Sequence, residues 1–202
     1  MRLPIVMATA LAALLAAGCG SASTSTAPST HAAGNSAPAV GALSAEATSA
    51  ATGDIPDNQA FLTYHNPIEH YSMSYPEGWG LKGSGRDVSF TDKNNVVHVV
   101  IATAPAPSTA AVAAELTHLK RSSPTLTFSA PATIALKSGP AAKVTYTTRS
   151  AANPVTGKSV LLIVDRYELS RTGKRATVDL GTPKGVDNVD AYRKMINSFT
   201  WR

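Results

Sequence analysis

The sequence of 202 residues is poor in cysteine, in aromatic residues and in charge, and each shortage excludes a class of protein. A single cysteine excludes a disulfide framework and any metal site built from several cysteines. No apolar run reaches the roughly 18 residues that a membrane-spanning helix requires, which excludes a protein with several membrane spans. Aromatic residues are 6% and charged residues 15% of the chain, and both values are lowered by one segment near the N-terminus.

The one cysteine follows an N-terminal segment with the order of a bacterial export signal. Arg2 supplies a positive charge, residues 3–17 are apolar, and small residues precede Cys19. Residues 15–19 resemble the bacterial lipobox, with Ala16 at the position where leucine is commonest. The resemblance implies a lipoprotein whose signal peptide is removed.

The implied processing gives a signal peptide over 1–18 and a diacylglyceryl group on Cys19. Two or three acyl chains bury enough methylene groups, at roughly 0.8 kcal/mol each, for stable anchoring. We therefore expect the protein to be lipid-anchored on the extracytoplasmic face of the cell membrane. The alternative, an ordinary secretory peptide cleaved near Ala17, leaves the only cysteine unexplained.

The segment after Cys19 has the composition of a linker. Of the 34 residues in 20–53, 29 are Ala, Ser, Thr, Gly or Pro. Such a segment buries too little apolar surface to offset the entropy of ordering, so we predict a disordered linker over 19–53, with the lipidated cysteine at its start. As a flexible coil it reaches about 30 Å.

Residues 54–202 have an ordinary globular composition, with 17 basic and 12 acidic residues. Alternating or continuous apolar runs between turn signals predict six to eight strands, most of them joined by hairpins. Helical spacing predicts one helix near 109–121 and a second that begins near Asp187. Two runs, 96–103 and 160–164, look buried on both faces. The predicted fold class is α+β, a three-layer α/β/α sandwich with a mainly antiparallel sheet.

Three segments of this domain resemble PsbP-like domains. Residues 71–79, YSMSYPEGW, with YHN at 64–66, resemble the opening hairpin of that family. Residues 88–92, VSFTD, are similar to its next strand and turn, and residues 196–199, INSF, to its terminal helix. The match spans roughly 61–202.

The resemblance implies a fold shared by photosystem II extrinsic subunits, Ran-binding nuclear import factors and many actinobacterial lipoproteins. Those members are binding or assembly modules rather than enzymes. The Ala/Thr-rich lipoprotein style is similar to the actinobacterial group. Because one fold hosts many functions, the resemblance names no ligand or partner.

Candidate binding residues are basic or aromatic. Basic side chains cluster on the late strands and their turns, and the residues predicted to bind a ligand or partner are Arg149, Arg166, Arg175 and Trp79. The alternative for the arginines is a solvated or helix-covered charged face with Asp179 and Glu168 as partners. The alternative for Trp79, which follows a Pro-Glu-Gly turn, is a place in the core.

Three histidines and a glutamate are candidate metal ligands. His65, Glu69, His70 and His98 include residue types that bind Zn²⁺. In an extended strand Glu69 and His70 point to opposite faces, so we interpret these residues as solvated polar positions and expect neither metal nor cofactor.

The leading hypothesis is a surface-tethered, non-catalytic module, expected to be a monomer, that binds an envelope protein or a small ligand. Nucleic acid is excluded as a partner for a tethered, exported chain with a net charge of only +5. The alternatives are an envelope hydrolase, which needs a histidine hydrogen-bonded to Ser or Asp, and a small-molecule carrier with a cleft between the sheet and a helix.

Overall fold

The computed structural model describes residues 52–153 and 156–202. The predicted signal peptide, Cys19 and the predicted linker up to residue 51 lie outside the described residues. Within the described part of the chain, no helix is long and apolar enough to cross a membrane.

The elements described in full are ten strands and two helices. The strands are β1 (Phe61–His65), β2 (Tyr71–Pro76), β3 (Gly80–Ser84), β4 (Asp87–Asp92), β5 (Asn95–Thr103), β6 (Ala132–Leu136), β7 (Gly139–Arg149), β8 (Leu161–Arg171), β9 (Lys174–Pro183) and β10 (Thr200–Trp201). The helices are α1 (Thr109–Ser122) and α2 (Val189–Ser198).

The strands form two antiparallel sheets. The large sheet has the order β3-β4-β5-β9-β8-β7-β6, and the small sheet has the order β1-β2-β10. Every strand pair in both sheets is antiparallel. The sequence predicts one sheet, whereas the structure has a second one. Its closing pair joins Trp201 to Tyr71, a contact across the whole domain that no local pattern encodes.

The large sheet is covered on both faces. On one face, α1 places Val112 and Leu116 against β7 and β8, and both side chains are fully buried. On the other face, α2 and the small sheet pack over the main core, in which Phe90 and Phe199 are fully buried. We call these the α1 face and the α2 face. The predicted α+β sandwich is confirmed.

The cover on the α1 face does not extend over the whole sheet. Along β5, Val97, Val99 and Ile101 are buried on the α2 face, while alternate residues such as Val96 and Val100 are only half-buried. The prediction that this strand is buried on both faces is therefore wrong. The reason is that α1 packs over β7 and β8, so part of the α1 face of β5 remains open.

Both helices begin close to their predicted positions. The Ser108 hydroxyl accepts a hydrogen bond from the Ala111 amide and caps α1. The sequence also predicts a strand over 125–128, but these residues form only an isolated bridge between Phe128 and Tyr146. The helical spacing of Val112, Leu116 and Leu119 predicts one buried stripe, but Leu119, in the last turn of α1, is 38% exposed.

Candidate functional site: a helix–sheet cleft

The three predicted binding arginines do not share a surface. The register pairs Arg149 with Leu161 and Arg166 with Val144, and neighbouring residues of a strand point to opposite faces. Arg149 therefore lies on the α2 face, where it is exposed, and Arg166 lies on the α1 face. Arg175 is four residues before Asp179, the cross-strand partner of Arg166, and so shares the α1 face. The idea of one patch formed by all three is wrong.

Arg166 is held inside the protein by Asp179. Its Nε and Nη2 atoms donate to the two Asp179 carboxylate oxygens, each at 2.7 Å, and its guanidinium lies 5.2 Å from the Tyr146 ring centroid. Burial by itself would lower the pKa of Arg166. The hydrogen bonds to Asp179 outweigh this effect, and the net shift of the pKa is upward. The partnership is the one predicted for a helix-covered charged face.

Arg175 joins two carboxylates below α1. Its Nη2 donates to Glu115 of the helix at 2.8 Å, and its Nη1 lies 3.3 Å from Glu168. The Glu168 side chain is fully buried, and neither carboxylate oxygen has a hydrogen bond of good geometry. Burial raises the pKa of Glu168, against the opposing charge of Arg175. Arg175 therefore serves an internal ion-pair cluster.

Trp79 belongs to the main core. The residue is 9% exposed and packs in the cluster that also contains Val88 and Phe90. Gly78 before it has φ +89°, a left-handed conformation that turns the chain back toward the sheet. The alternative of a core position is confirmed for Trp79.

The four candidate metal ligands do not form one cluster in the described part of the chain. Glu69 and His70 lie in the turn between β1 and β2, and Glu69 is 4% exposed. The interpretation of Glu69 as a solvated residue in a strand is therefore wrong, because its carboxylate binds Arg86 and Lys174. Among residues 52–153 and 156–202, no group of three His, Cys, Asp or Glu side chains could hold a metal ion.

One histidine meets the first criterion set for a hydrolase. His98 Nε2 lies 2.8 Å from Asp87 Oδ1, and Ser89 is the cross-strand partner of His98. However, the Asp87 side chain is 74% exposed, whereas the orienting carboxylate of a triad is buried. These residues lie on the open part of the sheet, where water reaches them freely.

A cleft of about 320 Å³ lies between the large sheet and α2, on the α2 face. We call it the helix–sheet cleft. Strands β7, β8 and β9 contribute Lys143, Ile163, Asp165, Tyr167, Leu180 and Thr182. Helix α2 and the loop before it contribute Val186, Asn188, Val189, Tyr192 and Arg193.

The polar groups of the cleft converge on Asp165. Lys143 Nζ lies 2.9 Å from its Oδ2, and the Thr145 hydroxyl donates to its Oδ1 at 2.6 Å. Lys143 also lies 5.3 Å from the centroid of the Tyr167 ring. Both charged side chains are about one-third exposed, at 33% and 32%, so the pair remains accessible from the cleft. Burial raises the pKa of Tyr167 and keeps its hydroxyl protonated.

The opposite wall of the cleft is rigid. The Tyr192 hydroxyl donates to the Gly181 carbonyl at 2.6 Å, which fastens α2 to β9. Asn188 is buried and bonded to Thr182, while Arg193 is exposed at the mouth and paired with Asp190. The cleft can therefore hold a small molecule between apolar walls, with one ion pair to fix its orientation.

The sequence does not reveal this ion pair. Outward alternation predicts polar faces for Lys143 and Arg166, whereas the register puts Lys143 opposite Tyr167, on the α2 face and away from Arg166. The available signal was Asp165, a lone acidic residue directly after the apolar run 160–164. A carboxylate there needs a partner, and Lys143 on the neighbouring strand β7 supplies it.

One solved structure identifies the fold. The solution structure of cyanobacterial PsbP (CyanoP) from Synechocystis sp. PCC 6803 aligns with 74% of this chain and 98% of its own length, with a TM-score of 0.54 and 16% identity. The fold is PsbP-like.

A weaker similarity accompanies it. The Saccharomyces cerevisiae Ran-binding protein Mog1p aligns over 71% of this chain and 96% of its own, at 8% identity and a TM-score of 0.48, which adds nothing to the assignment. No protein-family model and no curated protein matches the sequence. The similarity to CyanoP concerns the PsbP-like fold and carries no ligand with it.

Proposed function

We propose that this chain is a lipid-anchored, non-catalytic binding module on the extracytoplasmic face of the cell membrane, and that it takes a small ligand in the helix–sheet cleft. The anchor is proposed from the lipobox resemblance around Cys19. The long Ala/Ser/Thr-rich segment supports it, because a flexible tether raises the local concentration of a binding domain without fixing its orientation.

The observation that carries the binding proposal is the Lys143–Asp165 pair, about one-third exposed, inside an apolar cleft. A volume of about 320 Å³ lies at the lower end of the range for small-molecule sites. Ile163, Leu180 and Val186 supply apolar wall, while the ion pair supplies one donor and one acceptor. This combination suits a small, partly apolar molecule with one charged or hydrogen-bonding group.

The hydrolase alternative has less support. A nucleophile needs a base oriented by a buried partner and a site from which water is excluded. The His98–Asp87 pair lies on an open sheet surface, and neither residue lines the helix–sheet cleft. The cleft itself contains no histidine, cysteine or serine among its lining residues.

Filling the cleft tests ligand binding. Val189 is 59% exposed at the mouth, so Val189→Trp places a large ring over the opening at little cost to folding. With 1-anilinonaphthalene-8-sulfonate as the probe, we expect saturable fluorescence for the unsubstituted protein and its loss in this variant. The matched control is Leu119→Trp on α1, which should bind normally. Equal binding by both variants would contradict the proposal.

Removing the predicted anchor tests the location independently. Cys19→Ala should release the protein from the membrane fraction into the soluble exported fraction, because no thiol remains for the diacylglyceryl group. Membrane and soluble fractions are compared by immunoblot, with Ser21→Ala as the neighbouring control. Retention of the Cys19→Ala variant on membranes would contradict the lipoprotein assignment but would not affect the cleft proposal.

A further inference from the structure

A second cavity, which shares no lining residue with the helix–sheet cleft, is lined by side chains that can donate hydrogen bonds. It has a volume of about 360 Å³ and lies beside the small sheet. Its lining residues are His65, Asn66, His70, Tyr71, Ser72 and Arg202. We call it the imidazole pocket. None of the six has an acidic side chain.

Three of these residues can present N–H groups to a ligand. His65, His70 and Arg202 are all exposed. His65 is the cross-strand partner of Ser72, so both side chains stand on the same face of the small sheet. The Ser72 and Thr200 hydroxyls lie 2.7 Å apart and add a hydrogen-bonding group beside the imidazole. Guanidinium, imidazole and hydroxyl donors together match the oxygen atoms of an anion.

The loop that carries His70 is held in place before any ligand arrives. Asn66 Oδ1 accepts from the amides of Ile68 and Glu69 at 3.0 and 2.9 Å, and its Nδ2 donates to the Gly85 carbonyl at 2.7 Å. His70 has φ +56°, a left-handed conformation uncommon outside glycine. The surrounding bonds maintain this conformation, as at sites where geometry serves function.

The main chain couples His70 to Arg202. The Arg202 amide donates to the His70 carbonyl at 2.9 Å, which brings the last residue of the chain to the loop. Next to it, the Arg171 guanidinium donates to the Trp201 carbonyl. The Trp201 indole in turn donates to the Glu69 carbonyl at 2.8 Å. The main-chain positions of His70 and Arg202 are therefore fixed by the same set of contacts.

The acidic side chain next to His70 in the chain, Glu69, is paired with two basic groups. The Glu69 side chain is 3% exposed and receives Arg86 Nε at 2.9 Å together with Lys174 Nζ. The hydrogen bond from Lys174 lowers the pKa of Glu69 against the effect of burial, and Arg86 lowers it further, so the carboxylate stays ionised. Two basic side chains therefore pair with this one carboxylate, and it is not available to repel an anion in the pocket.

The imidazole pocket and the start of the described chain are at opposite ends of the domain. Lys174, which contacts the loop of the pocket, is at the start of β9. Thr182, near the end of the same strand, belongs to the cluster that binds Gly53. Eight residues of strand separate them, or about 26 Å. A domain tethered at Gly53 therefore leaves the pocket accessible.

From these observations we infer that the imidazole pocket binds a phosphate group, supplied either as a free phosphate or as the headgroup of an anionic phospholipid. Imidazole and guanidinium donors side by side favour a compact oxyanion as ligand over an extended apolar molecule. The site does not depend on the proposed cleft ligand, because the two cavities share no lining residue.

The test is a titration of the full, detergent-solubilised chain with inorganic phosphate at constant ionic strength, followed by NMR of the imidazole resonances. We expect saturable shifts of His65 and His70. The triple variant His65→Gln, His70→Asn and Arg202→Gln should bind at least about tenfold more weakly, the effect of losing one hydrogen bond to a charged group. Asn is chosen at position 70 because it tolerates a positive φ.

The control removes one histidine and one arginine at positions outside the pocket. His118→Gln with Arg149→Gln replaces an exposed histidine and an exposed arginine outside the pocket. Normal phosphate binding by this variant, and matching melting temperatures throughout, support the inference. Absence of saturable shifts overturns it, as does equal weakening by the control or unchanged binding by the triple variant.

A second titration, with glycerophosphoglycerol, distinguishes the two sources of phosphate. This soluble compound carries the headgroup of phosphatidylglycerol without its acyl chains. Tighter binding than inorganic phosphate supports a lipid headgroup as ligand, and weaker binding supports a free phosphate.

Discussion

Glu69 and Glu168 are both buried carboxyl groups, and their surroundings shift their pKa values in opposite directions. Lys174 and Arg86 bond to the Glu69 oxygens and lower its pKa from the ordinary value of 4.5. Glu168 has only an ion-pair contact with Arg175, and burial raises its pKa above 4.5. The number and geometry of the hydrogen bonds decide the sign of each shift.

Opposite shifts predict opposite pH dependences of stability. The folded protein binds fewer protons at Glu69 than the unfolded chain does, so this contribution is lost as the pH falls from about 4.5 through the lowered pKa. At Glu168 the folded protein binds more protons, so stability is lost as the pH rises from about 4.5 through the raised pKa.

Urea unfolding at a series of pH values checks this. The stability gap between the unsubstituted protein and Glu69→Gln should shrink as the pH falls. As the pH rises, the free energy of unfolding of the unsubstituted protein should fall relative to that of Glu168→Gln. Each variant is the control for the other, since both replace a carboxyl by an amide, and slopes of the same sign would be inconsistent with the structure.

Trp79 has the largest predicted effect of a single side chain. Trp79→Ala removes a ring that is 9% exposed from the main core and should lower the free energy of unfolding by about 3–5 kcal/mol. Leu81→Ala, at a neighbouring position that is 45% exposed, should change it by less than about 0.5 kcal/mol. Urea denaturation measures both values, and an unchanged midpoint for Trp79→Ala would remove Trp79 from the core.

At the scale of elements, α1 is the only described helix on its face of the sheet. Local signals define its start, since Ser108 caps it after a proline-rich stretch. The helix covers β7 and β8 with Val112 and Leu116 and closes the second core over Leu162 and Val164. Its stability therefore controls how well the buried ion pairs of Arg166 and Arg175 are shielded from water.

Removing the cap of α1 should destabilise the protein modestly. Ser108→Ala leaves the Ala111 amide without its side-chain acceptor and should cost about 1 kcal/mol in the free energy of unfolding. The measurement is thermal or urea unfolding. Ser122→Ala, near the other end of the same exposed helix surface, should stay within about 0.5 kcal/mol. A larger loss for Ser122→Ala than for Ser108→Ala would contradict the capping assignment.

At the scale of the whole molecule, a buried polar cluster joins the start of the domain to its far elements. Asn188 Oδ1 accepts from the Ile55 amide at 2.9 Å, and its Nδ2 lies within hydrogen-bond distance of Gly53, Asn95 and Thr182. Gly53, predicted as the last residue of the linker, is thus bonded to the domain. The loop before α2 and the turn into β5 meet at this cluster.

Asn188→Ala should loosen this start. The substitution leaves the Ile55 amide and the Asn95 side chain with fewer partners, at about 1–3 kcal/mol for an unsatisfied buried group. We expect lower stability in urea and faster hydrogen exchange of the Ile55 amide than of amides in β8. Asn94→Ala, in the exposed turn before β5, serves as the control and should leave the exchange unchanged. Unchanged Ile55 protection in Asn188→Ala would show that other contacts hold the segment.

Sequence patterns predicted most of the elements and the layered architecture. Alternation identified β7 and β9, the apolar run 160–164 identified β8, and helical spacing with a serine cap identified α1. These features are local, because each is encoded within a few residues of the chain. Asp179 and Glu168, predicted as partners of the basic cluster, do pair with arginines, and the structure assigns Asp179 to Arg166 and Glu168 to Arg175.

The choice of partners and faces elsewhere came from tertiary structure. A shift of one residue in register moves a side chain to the other face of a sheet, and this separates Lys143 and Arg149 from Arg166. Glu69 meets Lys174 across 105 residues, and Trp201 closes the small sheet against Tyr71. Such contacts depend on how the sheets pack, so both cavities and the burial of Glu69 became visible only in the folded domain.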